Sequence, residues 1–137
     1  MQVLIDTSAV ISMIDKSHHL HKKIKELVLM DNNLYIIPST VIVEVCQLLK
    51  YRFGSSVEIS FLNEILKTIF LMEPVKFEDI NRILEILKKY EDLNIGYVDS
   101  SIVTIAERLK INKILTLDKK HFTIVIPNGF EYFDILI

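Results

Sequence analysis

Four acidic residues occupy positions where a carboxylate calls for an explanation. Asp6 follows directly on the apolar run Val3-Leu4-Ile5 and precedes Thr7 and Ser8. Glu44 interrupts TVIVEVCQLL, an otherwise apolar helical stretch in which an unpaired ionised carboxylate would cost several kcal/mol. Asp99 follows IGYV at the first turn of a long helical pattern, and Asp118 follows ILTL with Thr116 two residues before it. Gathered in one place and left bare, such acids would repel one another and some would have raised pKa values. A bound Mg²⁺ or Mn²⁺ removes that cost, because hard divalent cations take oxygen ligands and need only a few carboxylates besides water. One metal-activated water, or two metals bridged by these acids, could then attack a phosphodiester in line.

Each acid has a simpler explanation when taken alone. Asp6 and Asp99 could cap or flank the helices that follow them. Glu44 could pair with a buried Lys or Arg, and Asp118 in DKKH could be an ordinary turn residue. The joint pattern is more informative, provided the fold brings all four to one edge.

The elements that must position them alternate. Short β-rich runs cover 3–5, 34–37, 70–72, 113–116 and 130–133, and helical periodicity covers 23–30, 39–53, 55–70, 77–90 and 98–111. A helix starting at Thr7 would have Asp6 as its cap. This alternation predicts a three-layer α/β/α sandwich with a central, mostly parallel sheet. Ligands in such sheets sit outside the carboxyl ends of the strands. Asp6 and Asp118, each just past an expected strand, belong at that edge.

Composition sets the bounds. The chain has 137 residues, half of them hydrophobic, which suits one domain with a substantial core. No apolar run approaches the roughly 18 residues of a membrane span, and the N-terminus lacks the basic segment of a signal peptide. The single cysteine, Cys46, cannot form an internal disulfide and reads as a small core hydrophobe in a reducing, cytoplasmic compartment. With 16 Lys+Arg against 18 Asp+Glu the net charge is −2, so a nucleic-acid partner would be held by local basic patches or bound cations.

The segments VLIDTSAVI, PSTVIVEVCQLL and VDSSIVTIAERLKINKILTLDKKHF carry a family resemblance. The chain resembles PIN-domain proteins and, within them, the VapC toxins of toxin–antitoxin pairs. The most specific element is the last: an Asp at a helix start, an Ala-Glu-Arg helix, and a strand ending in Thr-x-Asp with His-Phe three residues on. The resemblance implies a Mg²⁺- or Mn²⁺-dependent endoribonuclease whose metal-binding and catalytic acids fall on Asp6, Glu44, Asp99 and Asp118. It places supporting hydroxyls on Thr7 or Ser8 and on Thr116. Its implied substrates are RNA, often tRNA or rRNA, and its implied protein partners are a second copy of itself and an antitoxin segment in a hydrophobic groove. Ser100 and Ser101 depart from the alanines of many relatives, a steric difference. No zinc-ribbon or helix–hairpin–helix element of the larger relatives is present in the sequence.

Other features carry less. His18, His19 and His21 cluster in HHLH, but without a cysteine or an H-E-x-x-H pattern they read as an exposed helix start. His121, close to Asp118, could orient substrate or a metal-bound water, but as a single histidine in a turn it reads as structural and stays outside the catalytic set. Among the basic clusters, Lys50-Tyr51-Arg52-Phe53 is the best candidate for contacting RNA, since it pairs cations with rings that could stack on bases. The competing reading is a PIN-like module that binds RNA or protein without cutting, against which the intact acids count. A haloacid-dehalogenase-like phosphatase would need an acid at position 8, where Ser8 stands, and a phosphate-binding nucleotide fold would need a glycine-rich loop that three glycines do not supply.

Overall fold

The computed structural model describes residues 1–67 and 70–137. Among these residues, five strands form one parallel sheet: β1 (Gln2–Ile5), β2 (Leu34–Pro38), β3 (Phe70–Glu73), β4 (Lys113–Leu115) and β5 (Asp134–Leu136), in the order β3-β2-β1-β4-β5. The sheet is parallel throughout, and the chain has the three-layer α/β/α architecture that the alternation predicts. Val3, Leu4, Ile5, Ile37, Ile114 and Leu115 are buried, as strands covered on both faces require.

The described helices are α1 (Thr7–Ile14), α2 (His21–Met30), α3 (Ser39–Phe53), α4 (Ser55–Leu66), α5 (Ile80–Lys89), α6 (Tyr97–Leu109) and α7 (Lys119–Ile124). Gly54 separates α3 from α4 with φ +91°, a conformation that L side chains rarely adopt, so the chain reverses there without a loop. In α3 the buried stripe is Val41, Val45 and Leu49, one residue per helical turn. The neighbouring stripe, Glu44, Leu48 and Arg52, lines a cleft instead.

Strand order determines where that cleft lies. β1 pairs with β2 on one side and β4 on the other, so connections leave it in opposite directions and a crevice opens at the carboxyl ends of β1 and β4. The two ends are joined by the backbone bond from Asp6 N–H to the Leu115 carbonyl at 3.0 Å.

Several expectations shift. The last strand lies at Asp134–Leu136, after the aromatic stretch 130–133. Phe133 meets Phe122 and Phe130 edge-on, so this stretch builds an aromatic cluster, and the Lys113–Asp134 ion pair at 2.6 Å joins the residues that open the β4–β5 pairing. The helix expected over 55–70 ends at Leu66; its residues 68–69 lie outside the described residues, and Phe70 opens β3. The helix expected over 77–90 is a 3₁₀ turn, Phe77–Asp79, leading into α5. DKKH, read as a turn, enters a short helix with Asp118 as its cap. Cys46 is only partly buried, at the edge of the core. Among the described residues, no helix is long and apolar enough to cross a membrane.

One polar network ties the edge strand to α6. Arg108 donates to Glu73 at 2.6 Å and to both oxygens of Asp79 at 3.1 Å, and Asp79 accepts from Lys76 N–H at 2.8 Å. Arg82 forms a two-pronged pair with Glu107 at 2.8 and 2.9 Å. Such paired geometry compensates the burial of Asp79, which is 4% exposed.

Candidate active site

Asp6 both caps a helix and faces the cleft. Its Oδ1 accepts the Thr7 N–H at 2.7 Å, capping α1, while its Oδ2 accepts the Thr116 hydroxyl at 2.7 Å and the Ser8 hydroxyl at 3.3 Å. The hydroxyls stitch the two strand ends together. Ser8 Oγ takes the Leu117 N–H at 2.9 Å, and Thr116 Oγ1 takes the Asp118 N–H at 3.0 Å. These bonds are satisfied by the ends of β1 and β4 alone, so Asp6 is held in place before any ligand arrives.

Asp118 caps α7 by accepting the His121 N–H at 3.3 Å. That half-turn swings the His121 ring back over the site. Its Nδ1 lies 2.7 Å from Asp118 Oδ2 and 3.2 Å from Asp99 Oδ2, Asp99 being in the first turn of α6. Donor atoms of Asp99, Asp118 and His121 all lie within 4.8 Å of one another.

The cleft has a volume of about 480 Å³. Asp6, Asp99 and Asp118 line it together with Glu44 from α3, so the structure brings all four sequence-predicted acids to one place. Thr7 and Ser8 also line it, whereas Thr116 is buried behind Asp6. Arg52 and His18 contribute the basic side of the wall. Of the three residues expected to contact RNA, only Arg52 reaches the cleft; Lys50 is exposed elsewhere on α3, and Tyr51 is 89% exposed outside the lining.

Three expectations need correction. Glu44 is half-buried on the cleft-facing stripe of α3, so its position does not carry the burial cost that the apolar sequence around it suggested. His121, read as a structural turn residue, is packed between two of the acids. Its signal was present: an i,i+3 spacing from a capping Asp brings a side chain back over the cap. His18 was likewise assigned to an exposed helix start, yet it lines the cleft and its Nδ1 accepts the Leu20 N–H at 3.1 Å.

Electrostatics follow from this crowding. Burial pushes the Asp99 carboxyl up to about 6, and the charges of Asp6, Asp118 and Glu44 push the same way against the opposing pull of His121. Asp6 is also raised, chiefly by burial, with the bonds from Thr116 and Thr7 opposing it. Two polar atoms in this region have no hydrogen-bond partner among the described residues: Thr7 Oγ1, on a residue 95% buried, and His121 Nδ1. Excess negative charge, an orphaned buried hydroxyl and several oxygen donors together make a donor set that a divalent cation fits. Asp99, Asp118 and His121 could supply ligand atoms directly, with Asp6 and Glu44 adding charge across the cleft.

A second cavity, about 340 Å³, is apolar and lies away from the acids. Val10, Met13, Phe61 and Phe70 line it, with Lys25 and Glu64 also contributing.

Comparison with known proteins shows what the chain is similar to. The PIN domain family matches residues 3–125. The chain is 28% identical over 134 residues to Ribonuclease VapC26 of Mycobacterium tuberculosis, covering 98% of this chain and 99% of that protein. Its fold is similar to that of M. tuberculosis VapC20, described as a sarcin–ricin loop cleaving toxin, with a TM-score of 0.79 and 19% identity over 86% of this chain and 91% of that one. VapBC2 from Rickettsia felis, solved bound to a DNA fragment from its promoter, is similar over the full length of both chains, with a TM-score of 0.73 and 18% identity.

Proposed function

The chain belongs to the PIN domain family, and from that premise we propose that it is a divalent-metal-dependent endoribonuclease that hydrolyses RNA phosphodiester bonds. The observation that carries this reading is the convergence of Asp6, Glu44, Asp99 and Asp118 on one cleft at the point where strand order reverses. The similarity to a ribonuclease along nearly the whole chain supports it.

A bound Mg²⁺ or Mn²⁺ would neutralise charge on the scissile phosphate and make water a competent nucleophile at neutral pH. Asp99 and Asp118 would hold that ion, and Glu44 completes the acidic wall. Asp6, held by the Thr7 N–H and the Thr116 hydroxyl, would add its negative charge to the cleft wall around such an ion. The free Thr7 hydroxyl is a donor or acceptor for a water or a phosphate oxygen. Arg52 binds a phosphate of the chain entering the cleft, which compensates for the repulsion between RNA and an acidic pocket.

On the same reading the protein is the toxin of a VapBC-type pair. An antitoxin segment with an apolar helical face would fit the cavity beside Phe61 and Phe70, and a second copy of the chain would cover further exposed apolar surface. The working compartment on this reading is the cytoplasm.

The test is cleavage of total RNA by purified protein with Mg²⁺, with Mn²⁺ and with EDTA, beside an Asp99→Asn variant prepared identically. Discrete metal-dependent cuts that vanish in the variant are the expected result, and their position names the substrate. Equal cutting by both proteins, or none in any lane, would overturn the assignment in favour of a module that binds without cutting.

A further inference from the structure

We propose that His121 is a direct nitrogen ligand of the metal centre and makes that centre select Mn²⁺ over Mg²⁺. This rests on the metal-dependent reading above and deepens it, because four acids alone would leave the site a hard, all-oxygen one.

The geometry carries the inference. His121 Nδ1 stands 2.7 Å from Asp118 Oδ2 and 3.2 Å from Asp99 Oδ2, yet it forms a hydrogen bond with neither, because neither oxygen lies in line with a ring N–H. An ordinary Asp–His pair aligns its N–H with the carboxylate. Separations of this size without that alignment match neighbouring ligands around one ion: bonds of roughly 2.1 Å at right angles place adjacent donors about 3.0 Å apart. The ring nitrogen is inaccessible to solvent, so bulk water does not satisfy it. Thr7 is the second unpartnered group, 95% buried in the wall of the same cleft. Two orphaned polar atoms beside crowded carboxylates make a cation site rather than a self-contained ion pair.

Chemistry then gives the selectivity. Mg²⁺ prefers oxygen donors and releases its waters reluctantly, whereas imidazole nitrogen is a good ligand for first-row transition metals. Affinity for a mixed nitrogen–oxygen site rises along the series from Mn²⁺ onward. One histidine among carboxylates therefore favours Mn²⁺ while still admitting Mg²⁺. The short helix α7 is the positioning device, since its capping acid and its histidine are three residues apart.

The test uses the full chain loaded with Mn²⁺ and read by pulsed EPR, with competition by Mg²⁺ in calorimetry. Wild type is expected to show coupling to a directly bound nitrogen. His121→Ala and His121→Asn should lose it, and Mn²⁺ affinity should fall at least about tenfold, a floor set by the effect of removing groups that only support ligands. In His121→Asn the amide oxygen substitutes for nitrogen at similar reach, so Mg²⁺ affinity should change less than Mn²⁺ affinity. His18→Gln should leave the nitrogen signal intact. Mn²⁺ bound without nitrogen coupling, or coupling that survives in both His121 variants, would overturn the proposal while leaving the metal centre standing. No Mn²⁺ binding by wild type, in a protein whose circular dichroism shows it folded, would overturn this proposal and the metal-centre reading together.

Discussion

Thr116 Oγ1 donates to Asp6 Oδ2 at 2.7 Å, linking residues 110 positions apart at the carboxyl ends of β4 and β1. The same oxygen accepts the Asp118 N–H at 3.0 Å. One buried hydroxyl therefore orients the first acid and begins the turn that carries the last. Thr116→Val keeps the shape but leaves the Asp118 N–H without this partner, costing about 1–3 kcal/mol. It also removes a bond that holds the Asp6 carboxyl down, so Asp6 ionises less readily and metal binding weakens. A drop in Tm of about 5–10 °C with weaker Mn²⁺ binding is expected, and Thr116→Ser should restore both. Calorimetry on the three proteins checks this.

Asp99 makes the metal-free protein's stability pH-dependent. Its folded-state pKa is pushed up to about 6 from an ordinary 3.8, so between those values the folded state holds a proton that the unfolded state has lost. Stability therefore falls as pH rises through that window, and Asp6 acts in the same direction. Thermal unfolding in EDTA should show Tm higher at pH 5 than at pH 7.5 relative to Asp99→Asn, which lacks the titrating group. At pH 7.5, millimolar Mn²⁺ should raise the wild-type Tm and raise that of Asp99→Asn far less. A flat Tm difference between the two proteins across this range would count against the crowding of charge described here.

The Asp99→Asn substitution should also cut RNA cleavage by more than about a hundredfold, since removing a ligand costs more than removing a group that supports one. Far-UV circular dichroism should be unchanged, because no backbone group depends on the Asp99 side chain in the hydrogen bonds described. Normal cleavage by the variant would overturn the nuclease assignment, as in the total-RNA test.

Arg108 is needed for the fold rather than for the chemistry. It compensates the buried charge of Asp79 and holds Glu73 at the end of the edge strand, away from the acids. Arg108→Ala leaves Asp79 buried beside an empty space and should destabilise by about 3–5 kcal/mol. Denaturant titration measures the loss; cleavage per folded molecule at low temperature should match wild type.

Much of this arrangement is legible in the sequence. The strand–helix alternation gives the three-layer fold, and the acids that follow Ile5 and Leu117 belong at the strand ends because the apolar runs before them are short and buried. Other features depend on long-range packing. Phe130 and Phe133 have the composition of a strand, but Phe133 packs edge-on against both Phe122 and Phe130, and pairing begins at Asp134 instead. The apolar sequence around Glu44 conceals that α3 buries only the stripe of Val41, Val45 and Leu49. His121 reads as a turn residue until the turn is seen to be α7, whose cap points the ring at Asp99, a residue 22 positions earlier on a different helix. Sequence periodicity identifies faces within one element, whereas this contact is between elements.

Arg52 provides the sharpest test of how RNA enters. It stands two helical turns beyond Glu44 on the stripe of α3 that faces the cleft, while Lys50 points elsewhere along the same helix. If Arg52 contacts a phosphate, Arg52→Gln weakens binding of single-stranded RNA and reduces the slope of log affinity against log salt by about 0.7, the value for one lost contact. Lys50→Gln, carrying the same charge change outside the cleft, should alter that slope much less. Both effects are best measured in an Asp99→Asn background, where the RNA stays intact during titration. Equal slopes for the two variants would show that the basic end of α3 attracts RNA by diffuse charge, and that Arg52 makes no specific phosphate contact in the cleft.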